Sequence, residues 1–100
     1  MIPSKFYVAG GRKILVEIVD HLEDDTTYLF GTFNDVTNVI KVAKRIKIDH
    51  ERYDISEEDM ERTFLHELGH CFQFYSGLSS DEIVAQAFSN FMWEYNNTKE

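Results

Sequence analysis

The chain has 100 residues, 43% hydrophobic and 14% aromatic, which suits a single domain with one modest core and excludes a wholly disordered chain. Its net charge of −8 argues against binding a nucleic-acid backbone, where a basic surface would be expected. No apolar run nears the roughly 18 residues of a membrane span, the start of the chain shows no signal-peptide pattern, and one cysteine, Cys71, can form no intrachain disulfide and fits a reducing cytoplasm.

Taken in chain order, residues 5–9 predict a short strand, Gly10-Gly11 a turn, and the β-branched run 12–20 a second strand with Ile14, Val16 and Ile18 on one face. The polar, acidic stretch 21–27 reads as a loop. Residues 28–33 predict an aromatic strand, followed by a connection marked by Asn34, Asp35 and Asn38. From 39 to 48, Ile40, Val42, Ile46 and Ile48 alternate with Lys41, Ala43, Arg45 and Lys47. That pattern is a half-buried strand with a basic outer face, broken or bulged near Lys44. Residues 49–55 are expected to be a polar link, and His21 and His50 to be solvent-facing loop histidines.

Ser56 with Glu57, Glu58 and Asp59 predicts a helix start, because a hydroxyl caps free backbone N–H groups and acids suit the positive helix end. This helix is expected over about 56–76, stopped by Gly77, with Met60, Phe64, Leu68, Phe72 and Tyr75 as its core stripe. Thr63, His66, Glu67 and His70 share a second face. Ser79-Ser80 then cap a C-terminal helix over about 80–95, whose apolar stripe is Ile83, Ala87, Phe88, Phe91 and Tyr95, followed by a frayed tail. The expected fold is α+β: a small, twisted, mainly antiparallel sheet of three or four strands packed on these two helices.

The chemistry concentrates in His66-Glu67-Leu68-Gly69-His70. Side chains four apart on a helix lie one above the other, so His66 and His70 can aim two imidazole nitrogens at one point roughly 2 Å from each. Glu67, turned about 100° from His66, can hold a water there and accept its proton. Cys71 points away from this face and reads as a small core thiol. A catalytic zinc site usually takes three protein ligands, and no histidine follows His70, so a carboxylate is needed: Asp81, Glu82 or Glu94. Glu82, at the start of the second helix, can reach His70 if the helices are antiparallel. It also fits the last position of a Ser79-x-x-Glu82 capping box, and the two roles compete for one carboxylate.

At this point the chain resembles the small phage- and mobile-element-type zinc metallopeptidases related to the ImmA/IrrE superfamily and the minigluzincins. The resemblance rests on Gly31-Thr-Phe-Asn-Asp with the strand 39–48, on Met60-Glu-Arg-Thr-Phe-Leu-His-Glu-Leu-Gly-His70, and on Asp81-Glu-Ile-Val-Ala-Gln-Ala-Phe-Ser-Asn90. It implies that His66 and His70 bind Zn2+, that Glu67 activates water, and that a glutamate of the next helix is the third ligand. That glutamate aligns either with Glu82 or with Gln86, and a glutamine would be a poor anionic ligand. Tyr53, Tyr75 and Tyr95 are the candidates for stabilising an oxyanion.

The expected function is zinc-dependent hydrolysis of a peptide or protein substrate in the cytoplasm, with no nucleic-acid or membrane partner. The strand 39–48 is expected to accept substrate as an added strand. The alternative is a non-catalytic interaction module on a zincin-like scaffold, with a regulatory protein partner and zinc structural or absent.

Overall fold

A computed structural model describes residues 2–23 and 28–100. The fold is α+β, as expected. Strands β1 (Lys5–Val8) and β2 (Arg12–Val19) form the hairpin about Gly10-Gly11. Leu22–Glu23 (β3) pairs with Tyr28–Leu29 (β4), and the part of the expected acidic loop at 24–27 lies outside the described residues. The expected strand 28–33 is split at Phe30, so β5 spans Gly31–Asn34. The turn after β5 follows from Asn34, whose side-chain oxygen accepts from the backbone N–H groups of Val36 and Thr37.

The expected strand 39–48 breaks at Lys44 into β6 (Val39–Ala43) and β7 (Arg45–Ile48). Just past the break the Arg45 guanidinium reaches Asp20, the residue after β2, and Asp54 at 2.9 Å. The polar link expected at 49–55 is corrected, because Glu51–Asp54 (β8) pairs antiparallel with β7. Asp49 and His50 join them with φ of 49° and 68°, the left-handed pair of a tight hairpin turn.

The principal sheet has the order β1-β2-β6-β5, with β2 and β6 parallel and both flanking pairs antiparallel. Strand β6 is therefore internal and β5 is an edge. The strand lying beside α1 (Glu57–Tyr75) with free backbone groups is β5, not the 39–48 strand expected from sequence.

Helix α1 starts at the Ser56 cap, whose side chain accepts from Asp59 N–H at 3.1 Å. It ends in a Schellman turn: Gly77 has φ +73°, Leu78 N–H donates to Gln73 O at 2.8 Å and Gly77 N–H to Phe74 O at 3.2 Å. Its buried face carries Phe64, Leu65 and Cys71 against Ile14, Val16, Ile40 and Val42 of the sheet. Phe72 of the expected stripe is instead 49% exposed. Burial pushes the Cys71 thiol up to about 11, so it is a packed apolar group, as its sequence position suggested.

Helix α2 spans Glu82–Thr98, three residues beyond the expected end, its last turn tied by Asn97 to Trp93 O and Thr98 to Glu94 O. It lies antiparallel on α1. The contact is close because Gly69 lacks a side chain: a Cβ there would lie 3.1 Å from both Cα and O of Ala85. Buried Gln73 clamps the connection, accepting from Asp81 N–H at 2.7 Å and donating to Asp81 O at 3.1 Å. Ser89 donates to Arg62 O, and the Arg62 guanidinium lies 4.2 Å from the Trp93 ring centre. The packing face of α2 is thus Ala85, Ser89, Met92 and Trp93. The expected stripe is corrected, since Ile83, Phe91 and Tyr95 are exposed.

Candidate metal centre

Three constraints on the helix pair build the site. His66 and His70 project from one face of α1, their ring centres 4.9 Å apart. The Gly69–Ala85 approach sets the helix spacing, and the Gln73–Asp81 clamp sets where α2 begins. Asp81 then caps α2, its carboxylate accepting from Ile83 N–H at 2.8 Å and Val84 N–H at 3.1 Å. The expected Ser79 capping box does not form, and Glu82 is released from that role.

The Glu82 carboxylate turns to the histidines, one oxygen 2.9 Å from His66 Nε2 and the other 2.9 Å from His70 Nε2. One ligand atom from each residue can be chosen so that all three lie within 4.8 Å of one another, a group that can hold a metal ion. A tetrahedral ion with bonds of about 2.0–2.1 Å sets its ligands about 3.3 Å apart, so the nitrogen–oxygen separations need only a small expansion. Of the other carboxylates weighed, Asp81 is committed to the cap, and exposed Glu94 belongs to no such group among the described residues.

The remaining ring nitrogens have partners that sequence reasoning missed. His66 Nδ1 lies 3.0 Å from Gln86 Oε1, and the Gln86 amide donates to Asn90 Oδ1 at 3.0 Å. Ser80 Oγ lies 3.3 Å from His70 Nδ1. Gln86 therefore lies beside His66 and outside the three-residue group. With the His66 Nδ1–H donated to Gln86, a neutral ring presents its bare Nε2 lone pair to the Glu82 carboxylate. In that tautomer Nε2 is the nitrogen a metal ion would take. The i+4 spacing from Glu82 to Gln86 was the available signal, since it puts both side chains on one face of α2.

Glu67 is 8% exposed, and burial raises its carboxyl above the usual carboxylate range; His70 and His66 oppose that rise and Glu82 adds to it. It faces edge strand β5, where Gly31 permits close approach: a Cβ at that position would lie 2.6 Å from Thr63 Cγ2 and 3.2 Å from Glu67 Cγ. An open groove of about 860 Å³ runs along β5 past Glu67, His66, His70 and Glu82. Phe33, Phe74 and Leu78 line it, together with Arg62 and Ser80. None of the three tyrosines considered for an oxyanion lines it. Tyr53 donates to Glu51, Tyr75 to Asn38, and Tyr95 lies under Lys99. His21 contacts Asp20 and exposed His50 sits in the β7–β8 turn, and neither belongs to the three-residue metal group.

Replacing Gln86 with Leu is expected to weaken metal binding by about 10–100-fold through loss of His66 orientation, with little change in fold because the side chain is exposed. Competition with a chelating dye measures it, and unchanged affinity would make the Gln86 contact incidental. No protein-family model, curated protein or solved structure matches this chain.

Proposed function

We propose that the protein is a zinc-dependent metallopeptidase of the small phage- and mobile-element type that its active-site helix resembles. The observation that carries this reading is the convergence of both histidine Nε2 atoms on one Glu82 carboxylate beside buried Glu67. Two nitrogens and one oxygen are a donor set that suits zinc, and three protein ligands leave one position open.

When bound, zinc would polarise the scissile carbonyl and lower the pKa of a water beside it. Glu67, buried beside the metal position, accepts the proton of that water and delivers it to the leaving amine. Edge strand β5 offers unpaired backbone groups, so an extended peptide can align beside the metal as an added strand. The lone buried thiol supports a reducing cytoplasm as the place of action. No helix among the described residues is long and apolar enough to cross a membrane.

A second reading has one observation in its favour. None of the tyrosines considered as oxyanion donors faces the groove, and a non-catalytic module with a regulatory protein partner would need none. Zinc-loaded protein incubated with quenched-fluorescent peptides separates the two. Hydrolysis that stops on chelation and returns with zinc supports the peptidase, whereas cleavage no faster than that of a Glu67→Gln control supports the module.

A further inference from the structure

Helix α2 leaves an apolar stripe facing outward: Val84 is 44%, Phe91 68% and Tyr95 54% exposed, with half-buried Phe88 between them. Phe88 stacks on Phe72 of α1 at 5.7 Å, and Phe72 is itself 49% exposed, so the patch extends onto the neighbouring helix. Together these residues expose roughly 400–500 Å², within the range of the largest patch on a typical monomer and a little over half of the about 800 Å² each partner gives a standard interface. No Asp, Glu, Lys or Arg lies between Glu82 and Glu94, in a chain where 28% of residues are charged.

We propose that this face binds a second copy of the chain through antiparallel pairing of the two α2 helices. The spacing of the stripe (84, 88, 91, 95) is four, three, four, which reads the same in both directions. Two antiparallel copies therefore place Val84 against Tyr95 of the partner subunit and Phe88 against Phe91 of the partner subunit. Such self-complementarity is what a twofold interface requires. The four-three alternation also matches the shallow crossing of helices that interlock their side chains.

Local charge, against the net charge, favours the same occupant. Copies carrying −8 each repel, and contact is least costly across a face without charges. The same register brings Lys99, the only Lys or Arg after Arg62, beside Asp81 of the partner subunit. It sets a cation at the C-terminal end of one helix against an acid at the N-terminal end of the other. Lys99 already lies at the end of the stripe, its Nζ 5.6 Å from the Tyr95 ring centre.

Sedimentation velocity of the full chain, from low to high micromolar concentration, tests the pairing. The expected species has twice the 11.7 kDa chain mass. The Phe91→Asp variant is expected to sediment as a single chain with unchanged far-UV circular dichroism, since Phe91 contributes nothing to the core. The register has its own test. Under mild oxidation, a Val84→Cys/Tyr95→Cys double variant is expected to cross-link two chains, and neither single variant to do so, because each position then faces a different one across the axis. Native Cys71 is 1% exposed and stays out of this reaction. A single-chain mass throughout the concentration range overturns the proposal and leaves the stripe to a different protein. A dimer that survives Phe91→Asp, or cross-links through either single variant, overturns the assigned face or its direction.

Discussion

Replacing Glu67 with Gln is expected to abolish peptide hydrolysis while leaving metal binding and fold in place. The amide keeps the size of the carboxyl but cannot accept a proton, and a positioned general base is worth about 10²–10⁴-fold in rate. The same variant is expected to melt higher than the parent at neutral pH when both are metal-free. Burial raises the Glu67 carboxyl in the folded chain, so the folded state holds its proton more tightly than the unfolded state does. That preference adds stability below the ordinary glutamate pKa of about 4.3 and is lost as pH rises through the raised value. At neutral pH the folded parent therefore bears the cost of that raised carboxyl, which the amide does not. The advantage of Glu67→Gln should shrink toward zero as pH falls below about 4. A set of melting curves across pH checks the sign. Hydrolysis that survives the substitution removes Glu67 from the chemistry.

Substitution of Gly69 is expected to give the largest loss of stability. Ala and Val are both better helix formers than Gly, by up to about 1 kcal/mol for Ala, so propensity alone would stabilise. Packing opposes this. A Cβ would lie 3.1 Å from two backbone atoms of Ala85 and 3.3 Å from Phe88 Cδ1, and the backbone of a packed helix cannot step aside as a flexible side chain can. Overpacking costs typically about 1–3 kcal/mol and more for a branched side chain, so the packing effect wins. Gly69→Ala should lower Tm by roughly 5–10 °C, and Gly69→Val by more. Both should also weaken metal binding, because pushing α2 outward carries Glu82 away from His70. A Gly69→Ala protein that melts higher than the parent would contradict the close helix contact.

The two histidines and Glu67 were legible because their chemistry is local: spacing on one helix dictates which side chains share a face. Glu82 was legible only as a competition between ligand and helix cap. The competition was decided by Asp81, whose carboxylate takes both backbone N–H groups of the first turn. The β7–β8 hairpin was hidden because its turn uses Asp49 and His50 where glycine or asparagine is the usual signal, and because β8 is exposed throughout. The edge position of β5 could not be read at all, since strand order is set by pairing across the sheet and not by the alternation within a strand. On α2 the hydrophobic periodicity was real but pointed outward. The inward face uses Ala85 and Ser89, because Gly69 brings the helices too close for larger side chains. Apolar pattern reports where burial is favourable, and here part of the α2 stripe stays exposed in the single chain.

The most direct test of the metal centre is zinc content per chain in natively purified, untagged protein, measured beside His66→Ala and Glu82→Ala variants. Near one zinc per chain in the parent, lost in both variants while circular dichroism is unchanged, is the result expected of a centre built by His66, His70 and Glu82. A folded parent that carries no zinc and takes none up on titration would contradict it. The 2.9 Å contacts would then be plain hydrogen bonds between ring N–H groups and a surface carboxylate.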